Sequence, residues 1–326
     1  MSKITRAVVA ALILVTVFAA GYASARLSGG SSLSASNASF TRRYPLLSST
    51  LLGPNSNDIL INFVSLRMQL NNEFNALPAN TTQSFYFEYL PDGTNVRIGA
   101  DNFLVAASLI KVPLVMNLYR AAELGKVNLN QMVTVTQSEL DPGYGNLYQK
   151  GAGYQLTLRE AAQLALEQSD DTATHVIYDH INGLLPDDQQ SLSSLDIDQD
   201  ITNGNAVITA RAYSSVLKSL YFASFLTNAD SEAILGDLAK STEYRRLTAD
   251  LPKGIVVAHK NGVNNTTQTQ SDCGIVYVPE RPYFICVMVG LPEAQGNTFI
   301  AQVSKTVYDY VANYRVAPNS LGQAAN

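Results

Sequence analysis

The sequence predicts an α+β fold in which both ends of one domain contribute to a single antiparallel sheet. A strand–turn–strand pattern lies early in the domain, and three further strand-like segments followed by a helix lie late in it. The segments between them have helical periodicity. A hairpin, a block of helices, and then three strands and a helix together indicate a sheet flanked by helices, beside an all-helical subdomain.

The first 25 residues have the pattern of an export signal. Lys3 and Arg6 precede an uncharged, strongly apolar stretch that ends in Ala23-Ser24-Ala25. A basic start, an apolar centre and an A-x-A site are typical of a secretory signal peptide, and an uncleaved stretch of this length would just span a bilayer. We therefore expect residues 1–25 to be a signal peptide or a single membrane anchor, and the protein to act outside the cytoplasm.

The rest of the chain divides by composition into a tether, one domain and a tail. Residues 26–55 begin with a Ser/Gly-rich stretch that is typical of a flexible tether. No internal repeat and no second low-complexity segment follows. We therefore predict one domain over residues 56–318 and a short tail over 319–326.

The domain begins with a helix and a hairpin. Apolar residues recur at helical spacing from Ile59 to Phe74 after a cap at Asn57, and Pro78 lies beyond the helix end. Two alternating segments within residues 83–99 flank the turn Pro91-Asp92-Gly93 and predict a β-hairpin.

Four helices are then expected, followed by the late strands. Residues 107–124 form a helix closed by Gly125, and the Thr157–Glu160 capping box opens another that runs through Glu167. A third covers 172–182, and Thr209 opens a fourth. The remaining predicted elements are strands at 254–260, 274–279 and 283–290 and a helix at 298–314.

Composition excludes several classes of function. There are 22 basic and 27 acidic residues, a net charge of −5, so no basic surplus exists to bind nucleic acid. Two cysteines and three histidines are too few for a disulfide scaffold or a four-cysteine zinc site. His175 and His180 are five residues apart and would not align on a helix as ligands. We predict neither a metal site nor a cofactor.

A serine and a lysine at the start of the second predicted helix form the first candidate catalytic pair. Ser108 and Lys111 are three residues apart and therefore share a helix face. Unpaired N–H groups at a helix start can stabilise an oxyanion, and a nearby amine can activate a serine. Ser215 and Lys218 have the same spacing, for which we prefer an ordinary helix face.

Two later motifs distinguish Ser108 from Ser215. Ser169-Asp170-Asp171 lies between two predicted helices, and His259-Lys260-Asn261-Gly262 lies at the end of a strand-like segment. With AASLIKVPLV around Ser108, these motifs in this order resemble the active-site serine hydrolases of the class A β-lactamase and penicillin-binding type. The resemblance covers residues 56 to 315.

The resemblance implies a role for each matching residue. Ser108 would be the nucleophile and Lys111 its proton acceptor, while Ser169 would relay a proton to the leaving nitrogen. Lys260 would attract a substrate carboxylate. The backbone N–H groups of Ser108 and Val263 would form the oxyanion hole, and Gly262 would let the substrate approach the strand closely.

Two substitutions depart from the family pattern at substrate-binding positions. Asp171 stands where the family has Asn, whose amide orients the substrate, and an ionised Asp can only accept hydrogen bonds. Asn261 stands where the family has Thr or Ser. Both positions stay polar, so we expect the reaction class to be kept and the substrate preference to differ.

The segment between the second and third motifs departs further. In class A β-lactamases a Glu on a loop activates the deacylating water, whereas residues 184–205 here contain no glutamate. The acidic residues of this segment are Asp187, Asp188, Asp196, Asp198 and Asp200, and their spacing matches no motif. Without an aligned base we expect slow hydrolysis of an acyl-enzyme.

The two cysteines lie on the two arms of one predicted hairpin. If Glu280 and Arg281 centre the turn, Cys273 lies opposite Met288 and Cys286 is its diagonal neighbour. A disulfide and two packed thiols are both compatible with this placement. Tyr144 or Tyr148, in the loop before the second motif, could flank a cleft.

Three functions remain open at this point. The first is a serine hydrolase that is acylated on Ser108 by a β-lactam. The second is a D-alanyl-D-alanine peptidase or penicillin-binding protein acting on peptidoglycan stem peptides, and the third is a non-catalytic envelope binding module. An α/β-hydrolase is a poorer interpretation because no G-x-S-x-G motif exists. The predicted partners are thus a small β-lactam or a stem peptide, and the membrane if residues 1–25 are retained.

Overall fold

The computed structural model describes residue 46, residues 61–197 and residues 200–314. The predicted export segment, the tether apart from Leu46, and the C-terminal tail lie outside the described residues. Within the described ranges, no helix combines the length and the apolar character that a membrane crossing needs.

The described chain contains ten strands and eight α-helices. The strands are β1 (Gln83–Tyr89), β2 (Asn95–Ile98), β3 (Leu104–Val105), β4 (Met132–Thr134), β5 (Gln155–Thr157), β6 (Asp200–Thr202), β7 (Asn205–Ile208), β8 (Val257–Asn264), β9 (Thr269–Val276) and β10 (Tyr283–Gly290). The helices are α1 (Val64–Asn75), α2 (Lys111–Glu123), α3 (Leu158–Glu167), α4 (Asp171–Ile181), α5 (Ser191–Ser194), α6 (Ala210–Tyr221), α7 (Asn228–Leu238) and α8 (Glu293–Asn313).

One five-stranded antiparallel sheet joins the two ends of the domain. Its strand order is β2-β1-β10-β9-β8, so the early hairpin pairs with the last strand through Gln83 opposite Val289. The predicted α+β arrangement with a sheet from both chain ends is therefore confirmed. Two smaller sheets have the orders β3-β7-β6 and β4-β5.

The side chains of β1 divide between the two faces of this sheet. Phe85, Phe87 and Tyr89 belong to a core shared with α1 and α8. On the opposite face, Ser84 Oγ accepts a hydrogen bond of 3.0 Å from the N–H of Ala210, at the start of α6. The alternation follows from the two-residue period of a strand, and it places helices on both faces.

Most predicted helices are confirmed, and the first begins later than expected. Helix α1 starts at residue 64 with Phe63 as its N-cap rather than after Asn57, and the Asn62 side chain accepts the N–H of Val64 at 2.9 Å. The Thr157–Glu160 capping box opens α3, and Thr209 caps α6 as predicted. Helices α5 and α7 and the short strands β3 to β7 were not predicted; α5 and these strands have only two to four residues and therefore no readable period.

The hairpin that carries the cysteines has a different register from the predicted one. Tyr283 pairs with Val276 and Cys286 pairs directly with Cys273, so the turn centres one residue earlier than Glu280-Arg281. Glu280 adopts a left-handed conformation with φ of 62°, which lets the chain reverse there. The predicted pairing of Cys273 with Met288 is therefore wrong. Because the two cysteines are direct cross-strand neighbours, a disulfide joins them, with an S–S distance of 2.07 Å.

Candidate active site

Ser108 lies on a tight helical turn immediately before α2. The turn covers Ala107–Ile110 with 3₁₀ geometry, and Ala107 has a φ of 47°, which is unusual for a residue with a side chain. Buried Tyr213 of α6 donates a hydrogen bond of 3.2 Å from its hydroxyl to the carbonyl oxygen of Leu109. The sharp turn presents Ser108 half-exposed, while its neighbour Leu109 is buried beneath it.

Lys111 is the first residue of α2, and all three donors of its ammonium group are used. The side chain is buried, and Nζ donates to the Ser169 carbonyl oxygen at 2.5 Å and to Ser169 Oγ at 3.2 Å. The third bond goes to Asp171 Oδ1 at 2.6 Å, which makes an ion pair. Within the described part of the chain, no hydrogen bond joins Lys111 Nζ to Ser108. A protonated Lys111 therefore has no lone pair with which to accept the Ser108 proton.

Ser169 lies between α3 and α4 in a strained conformation held by its neighbour. Ser169 has a φ of 57°, and Asp170 caps α4 by accepting the Ala173 N–H at 2.8 Å. The other Asp170 oxygen accepts the Leu147 N–H at 2.8 Å. Both hydrogen bonds are buried, so Asp170 fixes the turn that aims Ser169 at Lys111.

The loop before these helices wraps closely around both aspartates. Tyr144 donates its N–H to Asp171 Oδ2 at 2.7 Å, and Asp171 returns its own N–H to the Tyr144 carbonyl oxygen at 2.9 Å. Gly145 has a φ of 82°, and a Cβ there would lie 2.5 Å from Asp170 Cα. The close approach thus requires glycine.

The third motif lies in the interior of β8 rather than at a strand end. Lys260 is almost wholly buried, and its Nζ lies 3.2 Å from the Asn261 carbonyl oxygen and 3.3 Å from Asn261 Oδ1. A Cβ at Gly262 would lie 2.8 Å from the carbonyl oxygen of Ala106 and 3.4 Å from Leu109 Cγ. The strand therefore packs directly against the turn that carries Ser108, and glycine makes this possible.

A buried imidazole–carboxylate pair joins β8 to β9. His259 Nδ1 lies 2.9 Å from Asp272 Oδ1, and both side chains are buried. Asp272 Oδ2 also accepts the Leu247 N–H at 3.2 Å. This pair fixes the His259 side chain of β8 against the neighbouring strand β9.

Burial lowers the pKa of both lysines, and nearby positive charge lowers that of Lys260 further. Burial lowers the pKa of Lys111, and the hydrogen bond and charge of Asp171 oppose that change. Burial also lowers the pKa of Lys260 to about 7, and the charges of Lys111 and Arg246 add to the effect while Asp272 opposes it. The site thus holds amines whose protonation changes at lower pH than in water.

A polar cleft of about 350 Å³ opens between the second and third motifs. Ser169 and Tyr144 lie on one side of it and Asn261 on the other. Its other lining residues are Glu167, Gln168, Ser241, Thr242, Glu243, Tyr244 and Arg245. Of the two tyrosines singled out in the sequence, Tyr144 lines this cleft and Tyr148 does not.

Arg246 is a buried charged residue that acts on Lys260 but does not line the cleft, and the sequence did not reveal it. It is fully buried, Nε donates to Asn297 Oδ1 at 2.6 Å, and Nη2 donates to Gln270 Oε1 at 3.0 Å. Its Nη1 has no hydrogen-bond partner among the described residues. A buried cation with a free donor near Lys260 is costly unless an anion joins it. Arg246 differs from its exposed neighbour Arg245 only in its burial, which the local sequence does not show.

The acidic segment between the motifs does not bring a described carboxylate beneath the nucleophile. Asp187, Asp188 and Asp196 are exposed, while the side chains of Asp198 and Asp200 lie outside the described residues. An apolar cavity of about 490 Å³ lies beside the Ser108 turn, lined by residues that include Leu109, Ile110 and Pro113. None of the three described aspartates lines it.

The second pair with Ser-x-x-Lys spacing, Ser215 and Lys218, takes part in packing between a helix and the sheet. Lys218, on α6, forms an ion pair with Glu88 of β1, with Nζ 2.8 Å from Oε2. Ser215 is half-buried on the same helix. The pair belongs to the helix–sheet contact, as the interpretation of an ordinary helix face predicts.

The fold is of the β-lactamase/transpeptidase-like type. The solved structure of PBP-A superposes with a TM-score of 0.68 at 26% identity, covering 76% of this chain and 95% of that one. The β-lactamase of Sphaerobacter thermophilus superposes with a TM-score of 0.70 at 22% identity, covering 78% and 100%.

Sequence comparison then gives the family. A sequence model described as "Beta-lactamase enzyme family" matches residues 65–311, so the chain belongs to this family. The extended-spectrum β-lactamase PER-1 of Pseudomonas aeruginosa is 25% identical over 229 residues, which are 62% of this chain and 74% of that protein. A β-lactamase of Bacillus amyloliquefaciens is 24% identical over 267 residues, covering 76% and 82%.

Proposed function

We propose that the protein is an exported serine hydrolase that forms an acyl-enzyme on Ser108 with a β-lactam and hydrolyses it slowly. The observation that carries this proposal is the contact of Lys111 Nζ with Ser169 Oγ at 3.2 Å, beside the turn that presents Ser108. In the proposed reaction one proton moves from Ser108 to Lys111 and then to Ser169, and the Lys111–Ser169 contact provides the second transfer.

The chemistry follows that path. Neutral Lys111 accepts the Ser108 proton while Ser108 Oγ bonds to the lactam carbonyl carbon. The carbonyl oxygen becomes an oxyanion beside the N–H groups of Ser108 and Val263. Lys111 then passes a proton to Ser169 Oγ, which gives its own to the lactam nitrogen as the carbon–nitrogen bond breaks. Nothing is oxidised or reduced, and the product is an ester on Ser108.

Buried positive charge next to the cleft-lining residues Arg245 and Asn261 supports an anionic substrate. Lys260 and Arg246 are both buried, and Arg246 Nη1 has no partner among the described residues. A substrate carboxylate near them would offset the cost of burying two cations. β-Lactams and stem peptides ending in D-alanyl-D-alanine both carry such a carboxylate.

Slow deacylation is proposed from the acidic segment. Residues 184–205 contain no glutamate, and the described aspartates there are exposed and stay out of the cavity beside the Ser108 turn. Without a positioned general base, we expect water to attack the ester about 10²–10⁴-fold more slowly than with one.

The likeness to PBP-A favours a second candidate, a D-alanyl-D-alanine peptidase that β-lactams inhibit. One related solved structure is a PBP-A mutant as an acyl-enzyme complex with penicillin-G, and it is 26% identical to this chain. The two candidates share the acylation step and differ in the lifetime of the β-lactam ester and in the natural substrate.

Labelling with a fluorescent penicillin tests the acylation step. Wild type should acquire one covalent label, Ser108→Ala should acquire none, and Ser215→Ala, which alters the other serine with Ser-x-x-Lys spacing, should label like wild type. Failure of well-folded wild type to label would refute the proposal and favour a non-catalytic binding module. A label lost over minutes supports slow hydrolysis, one lost within seconds contradicts slow deacylation, and one that persists for hours supports a penicillin-binding peptidase.

Export is part of the proposal and rests on residues 1–25. The basic start, apolar centre and Ala23-Ser24-Ala25 site support it. Sequencing the mature N-terminus after expression in a bacterium tests it. A chain beginning at Arg26 indicates cleavage, a full-length chain in the membrane fraction indicates an anchor, and a full-length cytoplasmic chain would contradict export.

A further inference from the structure

Asp171 binds Lys111 in place of the substrate-orienting amide that the family pattern has at this position. Its Oδ1 lies 2.6 Å from Lys111 Nζ, and its Oδ2 accepts the Tyr144 N–H at 2.7 Å. Both oxygens are therefore occupied within the site. An ionised carboxylate cannot donate a hydrogen bond to a substrate carbonyl.

We propose that Asp171 sets the pH at which Ser108 becomes reactive, by holding Lys111 in its ion-paired, protonated form. This inference rests on the proposed function, in which Lys111 accepts the Ser108 proton. It assigns Asp171 a positioning and charge-setting role, because its contacts are with the base and the loop.

The hydrogen bonds of Lys111 favour its protonated form. Lys111 donates three hydrogen bonds, to the Ser169 carbonyl oxygen, to Ser169 Oγ and to Asp171. This arrangement suits an ammonium group and leaves no lone pair for the Ser108 proton. The ion pair with Asp171 stabilises the protonated form, and Lys111 becomes basic only when it loses one of these protons to water.

The surrounding charges change the pKa of Lys111. The groups that act on Lys111 are Asp171 and Asp170 at the start of α4, Asp141 on the preceding loop, and Lys260 on β8. Burial lowers the pKa of Lys111, and Asp171 raises it more than either other carboxylate does. An opposite charge within about 4–6 Å changes the pKa of an ionisable group by about 1–3 pH units.

Asp171→Asn removes the charge while keeping the shape and an acceptor for the Tyr144 N–H. The pKa of Lys111 should fall because its charged form loses a counter-ion, and the acid limb of the acylation rate should move to lower pH by about 1–3 pH units. Below the wild-type limb the variant should label faster than wild type, by about tenfold for each pH unit that the limb moves.

The control is Asp141→Asn. Asp141 is partly exposed and contacts the Gly143 N–H and His175 Nε2, at 2.9 and 3.2 Å, rather than Lys111. Its effect on Lys111 is screened by solvent. The acid limb of this variant should move by less than about 0.5 pH unit.

Two measurements separate this inference from the proposed function. The first is the rate constant of labelling by a fluorescent penicillin over a pH range from mildly acidic to alkaline. The second is the titration of the Lys111 ¹³Cε resonance in Ser108→Ala protein with ¹³C-labelled lysine, assigned with Lys111→Arg. The second measurement needs no acylation.

The expected result is a parallel downward shift of both curves in Asp171→Asn. An unchanged Lys111 titration would overturn the inference, and so would a shifted titration with an unmoved acid limb. If wild type does not label at any pH, the proposed function fails. The resonance titration then still decides whether Asp171 controls the protonation of Lys111.

Discussion

Replacing Gly262 with alanine is expected to separate strand β8 from the turn that carries Ser108. The new Cβ would lie 2.6 Å from Ser271 Oγ and 2.8 Å from the carbonyl oxygen of Ala106. The serine side chain can rotate, whereas the Ala106 oxygen belongs to the backbone just before the nucleophile. Relief of the second contact to an ordinary 3.4 Å requires a movement of 3.4 − 2.8 = 0.6 Å.

A movement of this size should affect both acylation and folding. Misplacing reacting groups by about 1 Å costs about 100-fold in rate, so we expect Gly262→Ala to slow labelling by about 10- to 100-fold. Overpacking a well-filled site costs about 1–3 kcal/mol of the free energy of unfolding. Pseudo-first-order labelling with a fluorescent penicillin measures the first effect, and urea unfolding measures the second.

Gly236→Ala is the matched control. Gly236 lies inside α7, and a Cβ there meets nothing within 4 Å. Alanine is a better helix former than glycine by about 1 kcal/mol, so this variant should be more stable and label at the wild-type rate. If Gly262→Ala labels within about twofold of wild type and unfolds at the same urea concentration, β8 does not pack against the nucleophile as described.

Three further predictions concern the supports of the site. Asp170→Ala removes two buried hydrogen bonds and should lower the free energy of urea unfolding by about 1–3 kcal/mol; a loss below about 0.5 kcal/mol, on the order of an exposed cap, would contradict this. Replacing Cys273 and Cys286 together with alanine opens a loop with a sequence separation of 13 and should lower the free energy of unfolding by about 3 kcal/mol relative to oxidised wild type. Reduced wild type should lose the same amount. Burial lowers the pKa of Lys260 from 10.5 to about 7, so between these values the unfolded chain binds the extra proton and the free energy of unfolding rises with pH. Lys260→Met should abolish this slope of at most about 1.4 kcal/mol per pH unit, and equal slopes in both proteins would contradict a buried, weakly basic Lys260.

Local patterns predicted much of the fold because the interactions behind them are local. The capping box of Thr157 and Glu160 and the cap at Thr209 each join residues three positions apart, so the sequence shows both partners side by side. The hairpin around Pro91 and Gly93 is equally local. Helix α1 begins later than the apolar period predicts, because the period continues through residues 61–63, which lie before the helix.

The strand register and the shortest elements could be determined only from the tertiary structure. The sequence placed the turn between β9 and β10 one residue too late, and the left-handed conformation of Glu280 marks where the chain reverses. This one-residue shift of the turn centre moves the pairing by two positions, so that Cys273 faces Cys286 rather than Met288. The strands of two to four residues owe their existence to pairing partners elsewhere in the chain.

The sequence by itself determined the residue types of the candidate site, their order along the chain and the family they resemble. Motifs carry this information because the spacing of Ser108 and Lys111 and the position of Ser169 between helices are local properties. Only the tertiary structure decided what each group touches: Asp171 pairs with Lys111, Arg246 is buried with a donor that no described residue accepts, and Lys260 loses basicity. These outcomes depend on burial and on charges from distant segments, since desolvation and Coulomb energy are properties of the folded arrangement.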